Sequence, residues 1–417
     1  MADEKFSLID YLMLFAFLVA ELGTFGLPLN LYQFVVLLVC MMLTAHWLYL
    51  ENDLRIHRGI IGLFAYIVAV TAFNMCDLEA YKSIIFFGIQ IVTFYLYIKR
   101  TSREKLYKLL YIVAIVFAIT AIFQEIAFFL HFKCFYDFTA YGFPKPVIRG
   151  GILAVSSLCS EPSHCAPVAA FGMWIGLRGA ECKETFVKPV FTALIAVFAV
   201  ITMSAVVYMS SLVVVGVYLF VNRLSDLRKR TKLILYCAMA GVVILAVKPG
   251  LMVTVFSRLN QFKNMSIDTG NDLSAVALVS NFRIAVEKLK DGYFFGTGFD
   301  SHRIHYWQYI NSIYDHLYQY LNIGDAGSLY IRIFSEFGIV GLFVFVFACV
   351  KKVIFGMKSR HYDVGAITIL FMTLVLRNGQ YENLFTVLCI CIIWFSRGIL
   401  TERKLEERGI GTNTPFP

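Results

Sequence analysis

The sequence predicts an all-α, polytopic membrane protein of about 12 transmembrane helices, with a long outer loop containing short helices, and three observations carry that reading. Of 417 residues, 59% are hydrophobic and only 16% charged, against roughly a quarter charged in average soluble domains. Mean hydropathy is +0.71. Apolar runs recur along the whole chain, many of them close to the ~20 residues that cross roughly 30 Å of hydrocarbon as a helix. The 39 Phe and 23 Tyr suit lipid-facing and interfacial positions. Residues 1–417 thus form a single integral membrane domain, and no part reads as a sizeable soluble domain.

The candidate spans lie near 8–27, 30–50, 59–76, 83–98, 109–130, 161–177, 189–206, 208–222, 233–254, 326–350, 364–378 and 384–400. Charge sets their direction. With the N-terminus inside, 24 of the 37 Lys and Arg face the cytoplasm, as the positive-inside rule requires. The opposite orientation would translocate KRTSREKLYK and RLSDLRKRTK. The stretch Pro189 to Val221 has basic flanks at both ends, so it is read as two short spans with an outside turn near Met209 to Ser211. Asp3 and Glu4 precede the first apolar run and no small-residue cleavage site follows, so the first span is expected to be a retained anchor. Residues 401–417 form a cytoplasmic tail.

Ten scattered cysteines include no CxxC or Cys/His ligand spacing, which argues against metal or redox chemistry. A disulfide is possible among Cys134, Cys159 and Cys165 on the outer side. The net charge of +9 is mostly cytoplasmic anchoring charge, pointing to anionic membrane lipids as contacts and to no nucleic acid.

Two outer loops are long, 131–160 and 255–325, and polar residues gather at their ends. The larger loop is too long to be structureless. In it Ala275, Leu278, Phe282, Ala285 and Leu289 recur at helical spacing, with Arg283 at the edge of that stripe. There follows GYFFGTGFDSHRIHYW, where Gly296 and Gly298 permit a tight turn and close ligand approach. Asp300, His302, Arg303 and His305 supply acid, base and cation within six residues. The run lacks the Lys-Ser/Thr of a P-loop and lies outside, which argues against a nucleotide site; a polar turn that merely joins helices is the alternative. The first loop ends in RGGILAVSSLCSEPSHCAP. Glu161 there is either a helix cap favoured by the dipole or a site residue, with Arg149 nearby. Arg332 and Glu336, four residues apart in an apolar span, either neutralise each other or leave Arg332 facing an anionic ligand. LRNGQYEN adds Arg377, Asn378, Gln380, Glu382 and Asn383, groups suited to sugar hydroxyls and ordinary in a loop.

These motifs resemble the bacterial O-antigen and capsule repeat-unit polymerases, the Wzy family, which is related to the O-antigen ligases. The carrying residues are SEPS at Ser160 to Ser163, NFR at Asn281 to Arg283, FFGTGFDS at Phe294 to Ser301 and SEFGIVGL at Ser335 to Leu342; the order of the spans also fits. The resemblance implies an inner-membrane glycosyltransferase with its site on the periplasmic or outer face. It would act on undecaprenyl-pyrophosphate-linked oligosaccharide, without cofactor or bound metal, alongside a chain-length regulator and a flippase. Arg283 and the glycine turn match the family pattern near the pyrophosphate, and Glu161 matches its acidic position. Ligase-like members carry a His-Asn pair ahead of the glutamate segment, where this chain has Asp325-Ala-Gly-Ser. A ligase-like glycan transferase is the main alternative and a polysaccharide transporter the next.

The chemistry asks for cationic donors on the departing pyrophosphate and a base within reach of the attacking hydroxyl. Arg283 is the first choice for the cation, with Arg149, Arg303 and Arg332 as alternates and Arg377 a further substrate-binding candidate. Glu161, Asp300 and His302 remain open as catalytic residues.

Overall fold

The computed structural model describes residues 6–21, 29–51, 56–74, 76–141, 145–149, 151–159, 161–182, 184–221, 273–313, 321–359 and 361–395. The expected span 233–254, residues 255–272 of the larger loop, Ser160 and the tail 401–417 lie outside them.

The described residues are mostly helical. In chain order they form α1 (Leu8–Glu21), α2 (Leu29–Glu51), α3 (Arg58–Phe73), α4 (Leu78–Arg100), α5 (Arg103–Phe129), α6 (Ala166–Cys182), α7 (Pro189–Ile201) and α8 (Ala205–Val221). Beyond the undescribed stretch come α9 (Leu273–Lys290), α10 (His302–Ile313), α11 (Leu329–Lys358), α12 (Tyr362–Leu374) and α13 (Leu384–Ile390), the last continued by a π-helical turn, Cys391–Phe395. Among the described residues α4, α5 and α11 are long and apolar enough to cross a membrane, and the other apolar helices are shorter. Phe343, Val344 and Phe347 on α11 point outward.

Local signals explain the helix starts. Asp77 Oδ1 caps α4 through Ala80 N at 3.1 Å, Ser102 Oγ caps α5 through Lys105 N at 3.2 Å, and Asn383 Oδ1 caps α13 through Phe385 N at 3.0 Å. Small residues let α6 sit in the middle of the bundle: a methyl group at Gly172 would overlap Ala114 of α5, and one at Gly176 would lie 2.7 Å from Thr192 of α7.

The structure corrects or adds to the sequence reading at three points. The break in 189–221 falls at Thr202–Ser204, not at Met209 to Ser211. Met203 takes a left-handed φ of 53° there, and Thr202 Oγ1 donates to Ala199 O at 2.8 Å, ending α7 with its own side chain. The loop 131–160 is not wholly irregular: it holds two 3-10 turns and an antiparallel pair, Ile148–Arg149 with Ile152–Leu153. No disulfide joins Cys134, Cys159 and Cys165, the first exposed and the other two buried.

Candidate functional site

The site is built where α11 breaks. Gly338 has φ 67° and ψ −173°, so the helix kinks and two backbone groups are released from its ladder. The loop joining α9 to α10 satisfies both. The Glu336 carbonyl accepts from Thr297 N and Gly298 N, each at 2.9 Å, and Val340 N donates to Phe294 O at 3.4 Å. This explains the glycines. A Cβ on Gly296 would overlap the Glu336 carbonyl, and one on Gly338 the Phe294 carbonyl. The close approach that Gly296 and Gly298 permit is thus taken up by protein backbone: Gly298 packs on Thr71 of α3 and on Cys76.

Around this junction the charges interlock. Arg332, 3% exposed, spends every guanidinium nitrogen on protein: Nε donates to Glu336 Oε1 at 2.9 Å, one Nη to Asp300 Oδ1 at 2.7 Å and the other to Gly379 O at 3.1 Å. Its guanidinium also lies 4.5 Å from the centre of the Tyr381 ring. The Tyr381 hydroxyl lies toward the Glu336 carboxylate without closing a hydrogen bond to it. Asp300 is held in a left-handed conformation, φ 57°, with Oδ2 accepting from Ser83 Oγ at 3.0 Å and facing Arg303 Nε at 3.4 Å. Arg303 reaches across to α4 and its cap, pairing with Asp77 at 2.7 Å and Glu79 at 3.2 Å.

Beneath the turn runs a second network, which contains no carboxylate among the described residues. His302, fully buried, joins Ser335 Oγ through Nδ1 and Asn281 Oδ1 through Nε2, both at 2.8 Å. Burial first, then the nearby Lys288 and Arg332 charges, hold its imidazole well below the usual histidine range. Lys288, 1% exposed, joins Thr297 Oγ1 at 2.6 Å and Ser335 Oγ at 3.0 Å.

The structure therefore brings together Asp300, His302, Arg303, Arg332, Gly296 and Gly298, and it gives His302 a buried, doubly bonded position. Arg332 and Glu336 do pair, with Asp300 as a third member. Arg377 lies partly buried in the same 376–383 connection that supplies Gly379 and Tyr381. Glu382 in that connection is half-buried, and burial pushes its carboxyl up, with the Arg332 charge opposing. Arg283 is exposed on α9, beside Phe282, which packs on Phe334 at 6.0 Å. Glu161 and the Arg149 backbone lie elsewhere, before α6 and in the short strand pair. Glu161 is exposed and makes no side-chain cap bond, although Ser163 Oγ donates to it at 3.3 Å.

Sequence reasoning missed Lys288, Ser335, Tyr381 and Asp77. It also misplaced the inward face of α9, which carries Ala277, Asn281, Ile284, Ala285 and Lys288 and leaves Phe282 exposed. Asn281 and Lys288 share the i, i+7 spacing of one face, a signal hidden because both are polar.

Residues 190–346 match the family model described as O-antigen ligase. The matched segment includes α8 to α10, the glycine turn, the kink and Arg283, Lys288, Asp300, His302, Arg303, Arg332 and Glu336. A search of curated proteins finds no match. The match supports the relation to O-antigen ligases and Wzy-related proteins and fits a membrane enzyme that processes glycans.

Proposed function

We propose that this protein is a membrane glycosyltransferase that polymerises undecaprenyl-pyrophosphate-linked oligosaccharide repeat units into O-antigen or capsular polysaccharide. In this reading the chain spans the inner membrane about twelve times. The kinked-helix cluster faces the periplasm or cell exterior. An acceptor sugar hydroxyl attacks the anomeric carbon of the growing glycan. The bond to the pyrophosphate breaks, undecaprenyl pyrophosphate leaves, and the hydroxyl proton passes to a base. A chain-length regulator and a flippase would work beside it.

The observation that supports this most is the contrast among the arginines. Arg303 and Arg332 are committed to carboxylates, whereas Arg283 is exposed with no ion-pair partner among the described residues. Its guanidinium is thus available to hold two phosphate oxygens. Asp300, Glu161 and Glu382 are the carboxylates suited to the acceptor hydroxyl. The absence of a His-Asn pair at Asp325-Ala favours polymerase, and Asp325 Oδ1 instead closes its own turn through Gly327 N at 2.9 Å. The matching family is described as O-antigen ligase, and the match fits equally a second reading, a ligase-like transfer to another acceptor.

The test uses purified protein in nanodiscs with a lipid-linked repeat unit as the single substrate and chelator present. Polymer formation is expected. Arg283→Ala should lower its rate by roughly 10²-fold or more, as for removal of one charged transition-state donor, with Arg283→Lys intermediate because it keeps charge and loses the planar fork. No polymer from the single substrate, with transfer appearing once a different acceptor is added, would establish the ligase reading.

A further inference from the structure

The hydrogen bonds of the buried network can be assigned one by one, starting from Asn281. Its Nδ2 donates to two backbone carbonyls, Ala277 O at 2.7 Å and Leu321 O at 3.1 Å, so the amide orientation is fixed and Oδ1 accepts. His302 must then carry its proton on Nε2, and Nδ1 accepts from Ser335 Oγ. With its hydroxyl proton committed, Ser335 Oγ can only accept from Lys288. The other branch closes in the same way. Ser301 Oγ donates to Gly298 O at 2.6 Å, so Thr297 Oγ1 donates to Ser301 and must accept from Lys288.

Lys288 therefore donates two N–H bonds, and no third acceptor and no carboxylate within ion-pair distance is present among the described residues. A neutral amine has two N–H bonds; an ammonium has three and would leave one buried without a partner. We propose that Lys288 is held as a neutral amine that clamps the Thr297–Ser301 turn to Ser335 of the kinked helix, and that it is a positioning residue for the Asp300–Arg332 pair. Its two acceptors sit close to that pair in the chain: Ser335 is one turn beyond Arg332 on α11, and Thr297 lies three residues before Asp300 in the turn. Protonation would keep both bonds but leave a third N–H and a positive charge buried without a partner, destabilising the clamp on the segment that carries Asp300.

The surroundings agree. Burial pushes the Lys288 amine down to about 7, with the Glu336 charge opposing. The groups that face it are Glu336 and the Ser335 hydroxyl from α11, His302 and His305 from α10, Cys76 ahead of α4, and the Thr297 hydroxyl of the turn. Each histidine is itself held below its usual range by burial, so neither is expected to supply a competing titration near pH 7.

The folded amine has a lower pKa than the unfolded one, so between about pH 7 and the ordinary lysine range the unfolded chain binds the extra proton and stability rises with pH. Thermal unfolding in detergent should show this rise for the wild type, and Lys288→Met should lack it. A wild-type curve parallel to that of Lys288→Met from pH 6 to 10 would overturn the neutral amine. Lys288→Arg, charged throughout, should unfold at a lower temperature than Lys288→Met; equal or greater stability for the arginine variant would also overturn it. Should the variants not fold, wild-type protein labelled at lysine Cε decides: one resonance titrating near pH 7 is expected, and none titrating below pH 9 refutes the proposal. These arms need no substrate, so they stand apart from the polymerase reading on which the positioning role rests. For that role, polymerisation by the wild type should fall as pH drops through 7, while Lys288→Met should be slower and lose that acid limb. An unchanged acid limb in the Met variant would remove Lys288 from positioning.

Discussion

At one end of the helices, Asp363 is shared between two arginines and Asp10 between a lysine and a tyrosine hydroxyl; at the other, arginines are each shared among carboxylates. Asp363, at the start of α12, meets Arg103 at 3.0 Å and Arg178 at 3.6 Å, and Asp10 of α1 meets Lys105 at 3.0 Å and the Tyr97 hydroxyl at 2.9 Å. The charged residues here are those the positive-inside reading assigns to one side. At the far ends of α4 and α11, Arg332 serves Asp300 and Glu336, and Arg303 serves Asp77, Glu79 and Asp300. The first arrangement neutralises helix ends within a cation-rich face. The second is short of positive charge, more so if Lys288 is neutral, so it suits holding a hydroxyl or taking a proton better than binding an anion. A pyrophosphate would have to be met by a cation outside the cluster, which is the place Arg283 occupies.

The comparison breaks most visibly at Arg332. Arg332→Ala would leave Asp300 and Glu336 without their shared cation, a loss of about 3–5 kcal/mol as for other broken buried pairs. Folded, monodisperse protein in detergent should fall sharply. Recovery of wild-type amounts with an unchanged unfolding temperature would mean that the outer cluster is not held by charge at all.

Gly338→Ala tests the junction rather than the charges. Left-handed backbone strain alone costs about 1–3 kcal/mol, and the new Cβ would also displace the Phe294 carbonyl. A lowered unfolding temperature is expected, and an accompanying loss of polymerisation would show that the turn's seat on α11 matters to the reaction. At the opposite end Asp363→Asn should cost less, about 1–2 kcal/mol, because the Arg103 and Arg178 side chains are 23% and 16% exposed and can turn to solvent. A loss equal to that of Arg332→Ala would erase the distinction between the two ends.

Much of the helix order was legible in the sequence, because apolar runs and their basic flanks report helix positions without tertiary information. Apart from the undescribed 233–254, each expected span coincides with or overlaps a described helix. The break between α7 and α8 was misplaced because Thr202-Met203-Ser204 contains no Gly or Pro, and its left-handed turn depends on local bonds. The glycine turn was recognised, but its reason lay 42 residues downstream at Gly338 and could not be read from spacing. His302 looked like a base because it follows Asp300 in a polar run; only packing reveals that Ser335 and Asn281 occupy both ring nitrogens. Lys288 drew no reading from the sequence, because propensity says nothing about which face of α9 is sealed.

The smallest effect on the fold is expected at Glu161, and it bears on whether the second carboxylate region belongs to the reaction. Glu161 is exposed, and among the described residues its side chain caps no backbone N–H and accepts one side-chain bond, from Ser163 two residues away. Glu161→Gln should therefore change stability by no more than about 0.5 kcal/mol, the reverse of the outcome for Arg332. A carboxylate kept in solvent at little structural use is available to an incoming sugar, and glutamine preserves its shape while removing its ability to take a proton. If Glu161 acts on the acceptor hydroxyl, the variant should reach wild-type abundance in the membrane yet polymerise slowly, with short chains. Wild-type chain length would leave the base to Asp300 or Glu382 beside the kink, and the parallel variants Asp300→Asn and Glu382→Gln would separate those two: Asp300→Asn should also lower the unfolding temperature, since Arg332 and Ser83 lean on it, whereas the half-buried Glu382 should not.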